Sequence, residues 1–180
     1  MRVLSCDQPD VRTHDEAHMN IALGCDHRGY AVKRALLPQL QSSGYQIEDF
    51  GCHASSGVDY ADIAYPLAMA VAARQCELGI LIGCNGMGMN MVANKVSGVR
   101  AATVDDEFAA RSAREKYHCN IICIGADIVG GNEIRKIVEV FLLATVSPRH
   151  ARQVSKMREI EEMVAQVYVA RHNQPFVSLV

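Results

Sequence analysis

At 180 residues the chain is sized for one domain with a real buried core, and 49% hydrophobic against 21% charged residues is globular composition, neither disordered nor fibrous. A net charge of −2 without a long basic run argues against a nucleic-acid partner, and no apolar stretch reaches bilayer-spanning length, which argues against a membrane. The seven cysteines are odd in number, irregular in spacing and free of any CxxC pair, so a zinc site is not expected; with no apolar leader, the expected setting is cytoplasmic, with most thiols reduced and buried.

Residues 1–18 are polar and aperiodic and are expected to form a disordered N-terminal extension, followed by a single domain over 19–170 and a tail over 171–180. Ile21–Gly24 reads as the first strand, and Asp26-His27 lies just past it, at the edge where open parallel sheets bind ligands. That pair can orient and protonate a substrate oxygen, and Asp26 can also accept the N–H groups of the next turn. Gly29–Ser42 carries apolar residues at helical spacing and ends before Gly44; Gln46–Phe50 is a second strand; Ile63–Ala73 is an alanine-rich helix. Tyr60, at the start of that helix, either reaches the site or packs with its hydroxyl in solvent.

The centre of the chain is LGILIGCNGMGMNMVANK, residues 78–95. An apolar strand, Leu78–Ile82, runs into a loop with Gly83, Gly86 and Gly88, and Met87–Ala93 begins a helix. This is how α/β proteins bring backbone N–H groups to an anion, although an ordinary tight turn uses the same residues. Cys84 in that loop would feel the helix field, which favours its thiolate.

Val99–Val104 and Asn120–Gly125 read as further strands, with Cys119 and Cys123 expected on one face. Asp105–Tyr117 and Asn132–Ala144 read as helices, and Ser147-Pro148 restarts a helix whose stripe is Val154, Met157, Ile160, Met163 and Val167. The stripe predicts packing on a second subunit or back on the chain's own sheet. The alternation predicts an α/β fold: a Rossmann-like doubly wound sheet of five parallel strands, helices on both faces, and an extra C-terminal helix.

GCDHRGY (24–30), DFG (49–51), VDY (58–60), GCNGMGMNMVANKVSGVRAA (83–102), DDEFAARSARE (105–115) and PRHARQV (148–154) together resemble the type B ribose-5-phosphate isomerases and galactose-6-phosphate isomerases. The resemblance implies an aldose–ketose isomerase of the ribose 5-phosphate/ribulose 5-phosphate type, working through a cis-enediolate with neither metal nor cofactor. It implies a small sugar-phosphate substrate and a homodimer or homotetramer with sites shared between subunits, a heteromer also being open. Asp26 and His27 match the family's first-strand pair, Tyr60 its site tyrosine, Gly86 and Gly88 its anion-cradling glycines, and Arg149 one phosphate arginine.

Several positions depart from that pattern. The family's commonest base, a cysteine, falls at Gly83, one residue before Cys84, and the glutamate of another branch falls at Met89. Lys116 stands at the ring-opening histidine, Tyr117 at its asparagine neighbour with His118 displaced by two, and Asp127 and Gln153 stand at the other phosphate arginines. The expected catalytic set is therefore Cys84, Asp26, His27 and Lys116. Substrate binding is expected from Tyr60, Gly83, Asn85, Gly86, Met87, Gly88, Tyr117, Arg149 and Gln153. Two alternatives stand beside this reading: an altered substrate, or a non-catalytic sugar-binding or partner subunit.

Overall fold

The computed structural model describes residues 19–53 and 57–172; the expected extension over 1–18 and nearly all of the expected tail lie outside the described residues. Strands β1 (Asn20–Cys25), β2 (Gln46–Asp49), β3 (Leu78–Gly83), β4 (Ala101–Thr103) and β5 (Ile121–Gly125) alternate with α1 (Tyr30–Ser42), α2 (Tyr60–Ala72), α3 (Met87–Ala93), α4 (Glu107–Glu115) and α5 (Gly131–Leu143). A 3-10 turn, Pro148–His150, leads into α6 (Ala151–His172). The sheet is wholly parallel in the order β2-β1-β3-β5-β4, the α/β doubly wound architecture expected from the alternation. The chain leaves β1 toward β2 and returns to β3 on the other side, so the topological switch lies between the carboxyl ends of β1 and β3.

Period-2 alternation sorts the strand residues onto two helical layers. Ile21, Leu23, Ile80, Ile82, Ile122 and Ile124 face α1, α4 and α5 around the fully buried Phe141. Ala22, Leu81, Ile121 and Cys123 face α2 and α3, where Leu67, Ala68 and Met89 pack. This second layer is thin: a Cβ on Gly79 would lie 2.8 Å from Leu67 Cδ2, so glycine lets α2 sit close to the sheet. The expected pairing of Cys119 and Cys123 on one face is corrected here. Cys119 belongs to the first layer and Cys123 to the second, because Cys119 precedes β5 and closes the α4 turn through its N–H to Ala113 O.

Five of the described cysteines are buried, as expected of reduced thiols; Cys84 is exposed. Burial pushes Cys25 and Cys119 up to about 11 and Cys76, which also meets Glu48, to about 12, so these thiols stay protonated. Among the described residues no helix is long and apolar enough to cross a membrane, and no three potential metal ligands cluster.

At the α6 end, Val154 is buried, and Met157 and Ile160 border a groove of about 440 Å³ against Val99, Arg100 and Tyr117. Further along, Met163 and Val167 are each more than half exposed, so the second half of the stripe is not folded back on its own sheet.

Candidate active site

Asp26 follows β1 and is 6% exposed. Its Oδ1 accepts the N–H groups of Arg28 (2.8 Å) and Gly29 (3.1 Å), and its Oδ2 accepts that of Cys84 (3.2 Å). One carboxylate thus caps the turn into α1 and ties the loop after β3 to the loop after β1. The capping reading of Asp26 is seen directly, and the same bonds fix the switch point. His27 is exposed beside it.

The glycines of the loop after β3 are each required by a close neighbour. A Cβ on Gly83 would sit 2.9 Å from Asp26 Oδ2 and 3.1 Å from Met89 Sδ; one on Gly88 would meet the Tyr60 ring at 2.9 Å. Gly86 adopts φ 75° and lies against the Cys123 backbone of β5. Asn85 Oδ1 accepts the Met87 N–H at 3.0 Å, so the first amide of α3 is satisfied within the loop. Helix geometry supplies no intrahelical acceptor for the next amides, those of Gly88 and Met89. Tyr60 is 46% exposed, with Asp59 capping its helix through the Ala61 N–H at 2.9 Å. Its ring seats on Gly88, so packing and proximity to the loop occur together.

Sequence reasoning missed the third member of this edge. Asp127, just past β5, receives Arg28 Nε at 2.9 and 3.1 Å and Nη2 at 2.8 Å, and its own N–H donates to Cys84 O at 3.0 Å. The Cys84 thiol lies beside the same carboxylate. This contact overturns the expectation of an acidified thiol. The Asp127 carboxylate pushes the Cys84 thiol up, with desolvation adding to it, while Arg28 only partly opposes. Arg28 in turn, with help from Cys84, holds Asp127 below the usual carboxylate range. The sequence carries each member, an arginine at position 28 and an aspartate where the resemblance puts an arginine, but not their pairing.

The remaining candidates sit elsewhere. Helices in a parallel sheet run back against the strands, so the end of α4 and the end of α5 lie at the amino edge. Lys116 ends α4 with its Nζ 5.4 Å from the Phe108 ring centroid. Tyr117 lines the α6 groove, and Arg149 and Gln153 are exposed around the start of α6. His118 is anchored there too, its Nε2 3.0 Å from Ser147 O and its backbone O accepting two bonds from Arg100. Burial, then Arg100, Arg114 and His150, push His118 toward its neutral form. Within one chain, Lys116, Tyr117, Arg149 and Gln153 therefore do not meet Cys84, Asp26, His27 and Tyr60; a whole sheet separates them.

A family model described as Ribose/Galactose Isomerase matches residues 21–157. Ribose-5-phosphate isomerase B of Escherichia coli is 33% identical over 143 residues, 79% of this chain and 96% of that protein. Galactose-6-phosphate isomerase subunit LacB of Clostridium acetobutylicum is 34% identical over 146 residues, 81% of this chain and 84% of that one. Among solved structures, ribose-5-phosphate isomerase B of Clostridium thermocellum superposes with a TM-score of 0.79 at 39% identity, covering 81% of this chain and 99% of that chain. With the matched region spanning the whole sheet and the carboxyl-edge loops, the chain belongs to the ribose/galactose isomerase family of sugar-phosphate isomerases.

Proposed function

We propose that this protein interconverts an aldose phosphate and its ketose, of the ribose 5-phosphate/ribulose 5-phosphate type, by proton transfer through a cis-enediolate without metal or cofactor. The observation that carries this reading is the convergence at the carboxyl edge of Asp26, His27, Cys84 and Asp127 with a glycine loop whose Gly88 and Met89 amides have no intrahelical acceptor. A carbon acid as weak as a sugar's α-position needs both a base and preorganised donors for the oxyanion, and this edge supplies both types of group.

Among the described residues the same edge does not supply a free guanidinium or ammonium for a phosphate, because Arg28 is held by Asp127. Lys116 and Arg149 carry that charge at the opposite edge, with Tyr117 and Gln153 beside them. A second copy, docked so that its amino edge faces this carboxyl edge, completes the site. The exposed Met163 and Val167 face of α6 supports association of this kind.

The test is NMR detection of deuterium at the carbon next to the carbonyl, in heavy water, with ribose 5-phosphate and galactose 6-phosphate. Exchange with either sugar supports the isomerase reading, and no exchange at high protein concentration rejects it. The second reading, a non-catalytic subunit, draws on the protonated Cys84 thiol. It predicts binding of a sugar phosphate by the wild type with no exchange at all.

A further inference from the structure

The segments that leave the carboxyl ends of the five strands, 26–29, 50–59, 84–86, 104–106 and 126–130, contain Asp26, Asp59, Asp105, Asp106 and Asp127 but one lysine or arginine, Arg28. That guanidinium is not free to meet an anion. Asp127 fills its side-on face, with Nε 2.9 and 3.1 Å and Nη2 2.8 Å from the carboxylate oxygens. Such a fork is how an arginine chelates a carboxylate or a phosphate, so one anion seated in it leaves no place there for another. What the fork leaves over is Nη1, whose N–H groups suit a hydroxyl or carbonyl oxygen. Exposed ion pairs are usually loose, but both halves of this one are fixed from the backbone. The Arg28 N–H donates to Asp26 Oδ1 at 2.8 Å. Across the site, the Ala126 N–H donates to Gly83 O at 2.7 Å and the Asp127 N–H to Cys84 O at 3.0 Å, which pins the turn after β5 onto the glycine loop. The side chains of Arg28 and Asp127 are 53% and 34% exposed, so the pair is presented to solvent at the carboxyl edge.

We propose that Asp127 is a specificity-determining residue that acts through Arg28: by filling the guanidinium fork it makes the carboxyl edge refuse a phosphate group, so that the uncharged hydroxyl and carbonyl end of a sugar phosphate lies there. This rests on the isomerase reading above and names which end of the substrate meets the glycine loop.

The discrimination is built from repulsion as much as from contact. With Arg28 cancelled, the carboxylates of Asp26 and Asp127 leave a net negative charge beside the loop, which a phosphate dianion meets in full and a hydroxyl hardly at all. Remove the Asp127 charge, and the same guanidinium becomes a phosphate site at the wrong end of the substrate. The exposed Lys116 and Arg149 of the opposite edge have no such partner role to overcome in the shared site proposed above, so the anion goes to them.

The experiment titrates the full chain with inorganic phosphate, followed by phosphorus NMR at fixed pH and ionic strength. Arg149→Ala serves as the parent, so that the carboxyl edge is read with the opposite edge weakened. Adding Asp127→Ala is expected to tighten phosphate binding about tenfold or more, the size of one charge-assisted fork regained. Adding Arg28→Ala to that variant is expected to return the affinity to the parent's. Asp127→Asn keeps the side chain's shape without its charge and is expected to follow Asp127→Ala. No gain in Asp127→Ala overturns the proposal, and so does a gain that survives Arg28→Ala. A gain in alanine with asparagine at the parent's level assigns the effect to space rather than charge and overturns it as well. A merely structural role for Asp127 cannot produce a gain that depends on Arg28. The titration needs no turnover, so the two readings fail separately: wild-type deuterium exchange with no phosphate gain in the variants removes this proposal alone, and a gain without exchange upholds the refusal of phosphate while removing the isomerase reading.

Discussion

The two edges of the sheet are built from different materials. At the carboxyl edge, short side chains and backbone amides lock one another: Asp26 ties two loops, Asp127 N–H ties a third, and glycines bring the pieces within contact. At the amino edge, long cations dominate. Arg100 and Arg114 are partly buried there and burial disfavours their charge, Arg114 Nε has no hydrogen-bond partner among the described residues, and Lys116 and Arg149 are exposed. One edge is tightly interlocked and the other carries exposed positive charge. Because a sheet lies between them, the shared site proposed above needs two copies of the chain.

The largest effect should come from separating the edges genetically. Asp127→Asn breaks the carboxyl edge and Arg149→Ala the amino edge, and each homomer should lose about 10²-fold or more in exchange. Mixed, unfolded and refolded together, half the dimers are hybrid with one intact site in two, so about a quarter of wild-type activity should return. Simple addition of the two residual activities would show that each chain forms its site alone.

Next in size is a test of rigidity. A Cβ on Gly29 would lie 2.2 Å from the Ile82 carbonyl oxygen, a backbone atom that cannot step aside. Gly29→Ala should therefore lower stability by about 3 kcal/mol, read as a shift in urea midpoint without a change in slope. An unchanged midpoint would mean that the carboxyl edge is softer than its contacts imply. Lys33, 2% exposed on α1, pairs with the partly exposed Asp49, which also accepts the Gly51 N–H beside β1. Lys33→Met should cost about 1–3 kcal/mol, less than a fully buried pair because water can reach Asp49.

The difference between the edges also decides what the sequence could reveal. Strands such as Leu78–Gly83 announce themselves because six consecutive buried residues leave no ambiguity of period, and Gly44 marks the end of α1 by its left-handed φ of 92°. β4 was expected over Val99–Val104 but spans only Ala101–Thr103, since it lies at the sheet's edge with one neighbour to pair. At the site, Asp26 and the glycine loop were legible because both sit beside a strand end. The Arg28–Asp127 pair was not: 99 residues separate its members, and only the crossing from β1 to β5 brings them together. The thiol's protonation followed from that same long-range contact, so a local argument from the helix field gave the opposite sign.

The smallest expected effect is the most specific to this pairing. Arg28 is the first cause of the lowered Asp127 pKa and also opposes the rise at Cys84. Arg28→Ala therefore raises both groups. Over the same variant, Cys84 should label more slowly at a fixed pH near neutrality, because less of it is thiolate. Labelling that speeds up in Arg28→Ala would contradict the sign of the electrostatics at this edge.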